Sequence, residues 1–232
     1  MMQTITLNDG SGVVYMQDEE LRNIDSPEFC VYYVRADDVK TICRLREQNY
    51  MFADRLMKIE INLSDWNPSY YIPDKCRFQC EILETWSIEK FYELAKDEFQ
   101  TDRRFAVSMG LPDERRKKEL LYQYICQLQE EQYRATVCFK EHELAGFNLW
   151  KIQDDAGTVL LGAVSRKLRG GASICLYEAA LLAMKEKGAV KLSNRISTSN
   201  LAAVKLHMAL GKDKKQLKIT GFEDQYIKEE NK

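Results

Sequence analysis

A pair of glycines surrounded by basic residues is the first feature of the sequence that could do chemistry. The segment Ser165–Ser173 reads Ser-Arg-Lys-Leu-Arg-Gly-Gly-Ala-Ser, between a strand-like run, Thr158–Val164, and a helix-like run, Ile174–Lys187. A glycine-bearing turn before a helix leaves backbone N–H groups unpaired, and with the helix dipole they form an anion site. Arg166, Lys167 and Arg169 add positive charge around it. A tight turn with solvated cations is the alternative.

A second candidate group follows after one more strand-like run, Ala189–Ile196. The residues Ser197–Asn200 cap a helix that continues to Gly211, and His207 lies seven residues after Asn200, on the same helix face. A histidine can donate a proton near neutral pH, so His207 is a candidate general acid. The alternative is a packing residue whose ring fills space.

The order of these elements resembles the GNAT superfamily of acetyltransferases. The chain has a strand, a basic Gly-rich loop, a helix, another strand and then Asn-x-x-Ala-x-x-Leu-His-x-x-x-Gly, where the family usually has tyrosine in the histidine position. The Gly-Lys-Ser/Thr of a phosphate-binding Walker loop and the Gly-x-Gly-x-x-Gly of a dinucleotide fold are missing. The resemblance implies an α+β GNAT fold with a mixed twisted sheet, preceded by a small β-rich N-terminal domain.

The resemblance also implies a binding site for acetyl-CoA, used as a cosubstrate. In the family, loop amides hold the pyrophosphate, the preceding strand pairs with the pantetheine arm, and the Asn helix closes the cleft. The residues at matching positions are Gly162, Ala163, Val164, Lys167, Leu168, Arg169, Gly170, Gly171, Ala172, Ser173, Asn200 and Ala203. The loop departs from the usual Arg-x-x-Gly-x-Gly/Ala, because lysine stands first or serine last, depending on the alignment.

His207 stands where many GNAT enzymes carry a tyrosine that protonates the departing thiolate, which makes it the candidate catalytic residue. The general base is not fixed by the sequence. Carboxylates near the hairpin turn and the last strand are weak candidates, and a water chain often serves in this family. Those carboxylates are Glu141, Glu143, Glu223 and Asp224.

The acceptor is expected to be a small-molecule primary amine. The chain looks most like two-domain enzymes similar to dTDP-fucosamine acetyltransferase, through Phe99-Gln-Thr-Asp-Arg-Arg-Phe105 and Leu121-Tyr122. Arg103, Arg104 and Arg195 are therefore candidates for binding a nucleotide-linked sugar. Pairing with nearby acids is the alternative for Arg103 and Arg104. For Arg195 the alternative is a partner within the sheet, since a charge on a central strand must face a cleft or find a partner. Peptide, polyamine and amino acid acceptors remain open, as does a degenerate protein that binds acyl-CoA without chemistry.

Two closely spaced prolines, Pro68 and Pro73, predict a domain boundary, since proline cannot donate to a strand ladder and restricts the residue before it. We expect a small β-rich domain over residues 1–72 and the acetyltransferase domain over 76–232. In the second domain we predict a strand at Phe78–Leu83, a helix capped by Ser87, a second longer helix, a three-strand meander, and the two strand–helix units described above. A final hairpin is expected, Leu217–Phe222 with Tyr226-Ile227.

Composition excludes several other classes. The 232 residues include 34 basic and 36 acidic side chains, a net charge of −2, which does not suggest a nucleic-acid or polybasic membrane surface. No apolar run is long enough to cross a bilayer and no signal peptide is evident. Seven cysteines, an odd number, suggest buried thiols in a reducing cytoplasm, and no metal is expected. A homodimer is left open.

Overall fold

The computed structural model describes residues 3–6, 12–17, 29–68, 78–96, 114–168, 171–211 and 216–229. The strands within these ranges are β1 Gln3–Thr6, β2 Gly12–Gln17, β3 Phe29–Arg35, β4 Met51–Asn62, β5 Phe78–Leu83, β6 Arg134–Lys140, β7 Glu143–Gln153, β8 Ala156–Val164, β9 Lys191–Ser197 and β10 Leu217–Glu229. The helices are α1 Val39–Glu47, α2 Ile88–Ala95, α3 Glu114–Glu130, α4 Ala172–Glu186 and α5 Leu201–Leu210, with a 3-10 turn at Arg166–Leu168.

All ten strands form one mixed sheet in the order β1-β2-β3-β10-β4-β9-β8-β7-β6-β5. The pairs β2–β3 and β8–β9 are parallel, and the other neighbours are antiparallel. Helix α4 lies in the connection between the parallel strands β8 and β9, because parallel neighbours need a long crossover, usually a helix. The sheet therefore brings the ends of β8 and β9 to one edge, together with the starts of α4 and α5.

Residues from the predicted N-terminal segment take part in this sheet. The C-terminal strand β10 pairs with β3 on one side and with β4 on the other. Trp66, which is 1% exposed, donates its indole N–H to the carbonyl oxygen of Leu210 at 3.0 Å. The predicted boundary itself lies outside the described residues and stays a prediction, but strands from both sides of it pair directly.

Alternation along the strands separates two apolar layers. On β7, Leu149 packs with α2 and α3, whereas its neighbour Trp150 packs with α4. Consecutive strand residues point to opposite faces of a sheet, so the two clusters lie on opposite sides. We call these sides the α2–α3 face and the α4 face. Helices α1 and α5 also cover the α4 face, over Tyr32 and Ile196 respectively.

The helix starts differ in how their first N–H groups are satisfied. Ser87 Oγ accepts from Lys90 N at 3.3 Å before α2, and Asn200 Oδ1 accepts from Ala203 N at 3.0 Å before α5. Both caps are as the sequence predicts. Gly171 precedes α4 with a φ of 95° and makes no side-chain cap.

None of the helices in the described part of the chain is long and apolar enough to cross a membrane.

The predicted final hairpin is wrong, because β10 is a single strand of 13 residues. The chain turns neither at Gly221 nor at the polar run Glu223-Asp224-Gln225; a bulge between Ile219 and Gly221 keeps the strand paired with β4. The polar run resembles a turn in the sequence. It is instead buried, since β10 lies inside the sheet, and Glu223 and Asp224 contact cations on opposite faces.

Candidate functional site

The parallel strands β8 and β9 diverge towards their C-terminal ends. They pair at Ala156↔Lys191 and Gly157↔Leu192, and in the described part of the chain no later pair joins them. Each strand continues on its outer side, where β8 pairs with β7 as far as Val164 and β9 with β4 as far as Ser197. The inner edges of the two strands therefore border a wedge, which opens towards the starts of α4 and α5.

Asn194 links the two sides of this wedge. Its side chain projects from β9 and is 4% exposed. The Oδ1 atom accepts a hydrogen bond from Val159 N on β8 at 2.9 Å, and Nδ2 lies 3.1 Å from His207 Nε2 on α5. A side-chain amide thus replaces a ladder hydrogen bond where the strands have separated, and it satisfies a buried backbone N–H.

His207 is enclosed on the α4 side of the wedge. It is 2% exposed, and its Nδ1 lies 2.8 Å from the carbonyl oxygen of Ala203, while Tyr177 packs edge-on with ring centres 4.9 Å apart. Since a carbonyl only accepts, Nδ1 carries the proton and Nε2 accepts from Asn194. Burial lowers the pKa of His207 to about 4, against a smaller raising effect of the Ala203 hydrogen bond.

This environment opposes the predicted acid role of His207. A group with a pKa near 4 holds no proton on Nε2 at neutral pH, and its one N–H is bound to a backbone carbonyl. The structure therefore favours the alternative raised from the sequence, in which the ring packs and positions its neighbours. Asn194, the hydrogen-bond partner of His207, also contacts β8 and so connects the histidine to the wedge.

The start of α4 has the features of an anion site. Gly171 adopts the left-handed conformation that favours glycine, and no acidic residue lies in the first turn of the helix. The first N–H groups of the helix, at Ala172, Ser173 and Ile174, have no intrahelical partner. Lys167 is exposed in the 3-10 turn just before. Arg169 and Gly170 lie outside the described residues, as does the side chain of Leu168.

The end of β8 presents backbone rather than side chain at one point. Gly162 is exposed and lies opposite Asn148 on β7. A Cβ atom at Gly162 would collide with Asn148 Oδ1, so only glycine fits that position without a shift. Ala163 is 6% exposed and packs into the α2–α3 face, and Val164 is half-buried against the start of α4. Of these three positions, only Gly162 is exposed, and it carries no side chain.

The remaining predicted residues fall into three groups. Asn200 and Ala203 lie together at the start of α5, where the Asn200 side chain is engaged as the cap. Arg195 projects from β9 onto the α2–α3 face, where its Nε lies 3.0 Å from Glu223 Oε2. Arg103 and Arg104 lie outside the described residues.

The candidate bases differ in their surroundings. Glu141 is exposed in the turn between β6 and β7, and Glu143 is exposed at the start of β7. Glu223 contacts Lys58 as well as Arg195, and Asp224 receives two hydrogen bonds from Arg55, at 2.6 and 2.9 Å. Both buried carboxylates of β10 are thus committed to cations.

One residue of this region, Asn194, was missed from the sequence. A signal for Asn194 was present. In Lys191–Ser197 it falls in phase with Leu192 and Ile196, so strand alternation places a polar residue on a buried face. Such a residue needs a partner, which marks it as structural or functional.

Comparisons with known proteins give the fold. No family model and no curated protein matches the chain. A functionally unknown conserved protein from Staphylococcus epidermidis ATCC 12228 superposes with a TM-score of 0.64 at 12% identity, covering 98% of this chain and 87% of that one. A GCN5-related N-acetyltransferase from Sphaerobacter thermophilus superposes with a TM-score of 0.55 at 14% identity, covering 87% and 59%.

A tandem GNAT protein from the clavulanic acid biosynthesis pathway superposes with a TM-score of 0.57 at 12% identity, covering 87% of this chain and 64% of that one. The chain thus spans less than two thirds of the last two structures. At sequence identities of 12% to 14%, the similarity to these structures shows a shared fold and no more. The predicted α+β GNAT fold on a mixed sheet is confirmed.

Proposed function

We propose that the protein is an acyl-CoA-dependent N-acyltransferase that moves an acetyl group to the primary amine of a small molecule. The observation that carries the proposal is the wedge between β8 and β9, bordered by strand backbone and ending at the uncapped start of α4. An extended amide-bearing arm can pair with strand edges, and a pyrophosphate suits helix N–H groups. Acetyl-CoA joins these two kinds of group in one molecule.

In this reaction the amine nitrogen attacks the thioester carbonyl, a C–N bond forms and the C–S bond breaks. The nitrogen loses a proton and the departing sulfur gains one. Backbone N–H near Gly162–Val164 would stabilise the carbonyl oxygen as it becomes negative, and the wedge would hold both reactants in place. His207 has a positioning role in this scheme, through Asn194, and water supplies and removes protons.

The loop and strand residues predicted from the resemblance would hold the cosubstrate. Lys167 and the N–H groups after Gly171 would face its phosphates, and Gly162–Val164 its pantetheine arm. Arg103 and Arg104 belong to the finer proposal, an amino group on a nucleotide-linked sugar as acceptor. Their guanidinium groups would suit its diphosphate.

A second candidate is a protein that binds acyl-CoA without catalysis. The specific observation behind it is His207, which occupies the position of the family's usual acid but is buried with a pKa lowered to about 4. Since water can protonate a thiolate, this does not remove the chemistry, but it removes one contribution to it.

Turnover separates the two candidates. Acetyl-CoA is incubated with a panel of primary amines, and CoA and the acetylated amine are measured by chromatography, because the exposed thiol of Cys43 would react with a thiol reagent. The proposed function predicts that CoA and the N-acetyl product form in equal amounts. It also predicts that both form faster than they do without the protein. Binding of CoA with no product from any amine would favour the second candidate.

A further inference from the structure

Three cysteine side chains meet on the α4 face, beneath the first turn of α4. Cys80 on β5 lies directly opposite Cys138 on β6, and both pack in one apolar cluster with Cys175 of α4. No disulfide joins them. We call these three residues the thiol cluster. Two neighbouring strands and one helix thus bring three oxidisable groups together.

The members of the thiol cluster differ in their access to solvent. Cys138 is 0% exposed and Cys175 is 7% exposed, whereas Cys80 is half-buried. Cys80 belongs to β5, which is the last strand in the sheet order and has a neighbour on one side only among the described strands. A small oxidant in solution can therefore reach Cys80 first, and the buried Cys138 only through Cys80.

The Cys80–Cys138 pair has the geometry that a disulfide needs. Residues directly opposite each other on antiparallel strands have Cα atoms about 4.5–5.5 Å apart, which lies within the range of about 4.4–6.8 Å found for disulfides. The Cys138 thiol also donates a hydrogen bond to Cys80 Sγ, and this bond lowers the pKa of the Cys80 thiol against an opposing effect of burial. Cys80 is therefore the more accessible thiol of the pair and the one that more readily becomes a thiolate.

The thiol cluster supports the start of α4, where the phosphates of the cosubstrate are proposed to bind. Ala172, the first residue of α4, is 0% exposed and packs in the same apolar cluster as Cys138. Phe78 packs there too, and a Cβ atom at Gly171 would lie 3.8 Å from its Cε2 atom. Because protein interiors are close-packed, a change in the positions of the thiols is transmitted to the N–H groups that follow Gly171.

We propose that Cys80 and Cys138 are a redox-active pair, which a low-molecular-weight disulfide such as glutathione disulfide oxidises to an intramolecular disulfide, and that this oxidation weakens acetyl-CoA binding. The first part, the oxidation, stands on the geometry of the two cysteines alone. The second part, the effect on binding, rests on the proposed acyltransferase function.

The oxidation takes two thiol–disulfide exchange steps. The Cys80 thiolate attacks one sulfur of glutathione disulfide, a new S–S bond forms, and one glutathione leaves as a thiolate. The Cys138 thiol then loses its proton and attacks Cys80 Sγ, and the second glutathione leaves. The two protons released by the cysteines are taken up by the two departing thiolates. Two protein thiols are thus oxidised, and one glutathione disulfide is reduced to two thiols.

The new bond changes the packing beneath α4. It draws the two sulfur atoms from non-bonded contact to about 2.05 Å. Because Cys138 is fully buried against the first turn of α4, this movement takes its sulfur away from neighbours that it contacts in the reduced protein. The N–H groups at the start of the helix are then displaced from the positions that suit a pyrophosphate.

Peptide mapping by mass spectrometry tests the oxidation. The protein is treated with glutathione disulfide, its remaining thiols are blocked, and we expect a crosslinked peptide pair containing Cys80 and Cys138 as the main product. Cys80→Ser should remove this crosslink, and Cys138→Ala should leave one glutathione attached to Cys80. Cys126→Ser is the matched control, since Cys126 is another half-buried thiol, on α3, and this variant should form the crosslink as the wild type does.

Isothermal titration calorimetry tests the effect on binding. Acetyl-CoA, which has no thiol that could reduce the disulfide, is titrated into the oxidised and the reduced protein after glutathione has been removed. The oxidised wild type should bind about fivefold more weakly or worse, and dithiothreitol should restore its Kd. Cys80→Ser, treated in the same way, should keep its Kd within about twofold of the untreated variant.

The inference is overturned if Cys80 pairs instead with Cys175 or with Cys76, which lies outside the described residues. It is also overturned if no intramolecular disulfide forms, or if the oxidised and reduced proteins bind acetyl-CoA equally well. Failure of the reduced protein to bind acetyl-CoA would instead overturn the proposed function, whereas the peptide map of the oxidised cysteines does not depend on that function.

Discussion

The Nδ2 atom of Asn194 lies 3.1 Å from His207 Nε2, and its Oδ1 accepts from Val159 N at 2.9 Å. One buried amide therefore joins β9 to α5 and to β8, at the position where the backbone ladder between the two strands has ended. The Asn194 side chain therefore bridges the two strands at the base of the wedge. Its energetic importance can be measured directly.

Replacing Asn194 by alanine should destabilise the protein by about 2–4 kcal/mol. The substitution leaves the Val159 N–H and His207 Nε2 buried without partners, in addition to the lost side-chain contacts. Urea unfolding measures the difference. Asn148→Ala is the matched control, since Asn148 is 2% exposed on the neighbouring β7 and its Nδ2 has no partner among the described residues. Equal losses for the two variants would contradict the role given to Asn194.

The burial of His207 predicts a pH dependence of stability. Its pKa is lowered to about 4 in the folded protein, from 6.5, so the unfolded chain binds more protons between these values. Stability is therefore full above pH 6.5 and falls as the pH decreases towards 4, by about 3 kcal/mol at most. In His207→Gln this part of the pH dependence should disappear, as measured by urea unfolding at pH 4.5, 5.5 and 7.

The second histidine of the chain is the control for that experiment. His142 is exposed in the turn between β6 and β7, so His142→Gln should leave the difference in unfolding free energy between pH 4.5 and 7 unchanged. The interpretation of His207 is wrong if His207→Gln keeps the pH dependence of the wild type. The interpretation is also wrong if turnover by the His207→Gln variant falls steeply while the stability of this variant is retained, since that result would support an acid role.

Gly162 and Asn148 should show strong coupling. A methyl group at Gly162 would collide with Asn148 Oδ1, so Gly162→Ala should cost about 1–3 kcal/mol of stability. In the Asn148→Ala background the same change should cost much less, because the colliding atom has been removed. A double-mutant cycle on unfolding free energies measures this coupling, and simple additivity would show that the strand end is not packed as described.

Much of the fold is predictable from the sequence because its signals are local. The cap of α2 by Ser87 and the strand Phe78–Leu83 were both predicted to the residue. Glycine, proline and capping residues act over a few positions, and periodicity separates strands from helices within a short window. The wedge-forming units around Gly171 and Asn200 follow from the same kind of local pattern.

The errors have a common cause in the placement of strands within the sheet. Glu223-Asp224-Gln225 resembles an exposed turn, yet it is buried because β10 is inserted between β3 and β4, an arrangement that depends on residues far apart in the sequence. The environment of His207 likewise depends on Asn194 and Tyr177, from two other elements. A residue type suggests a possible chemistry, but only the tertiary partners decide its pKa.

Equilibrium binding of acetyl-CoA, measured by isothermal titration calorimetry, tests the central claim most directly. The account predicts binding with a Kd on the order of 1–100 µM, within the usual range for enzyme substrates. Lys167→Glu should weaken it by about tenfold or more, since the exposed lysine lies just before the start of α4. Lys205→Glu, the same change at an exposed position on α5, should alter it less than about twofold. Absence of binding at about 1 mM acetyl-CoA, or equal effects of the two substitutions, would contradict the assignment of the β8–β9 wedge as an acyl-CoA site.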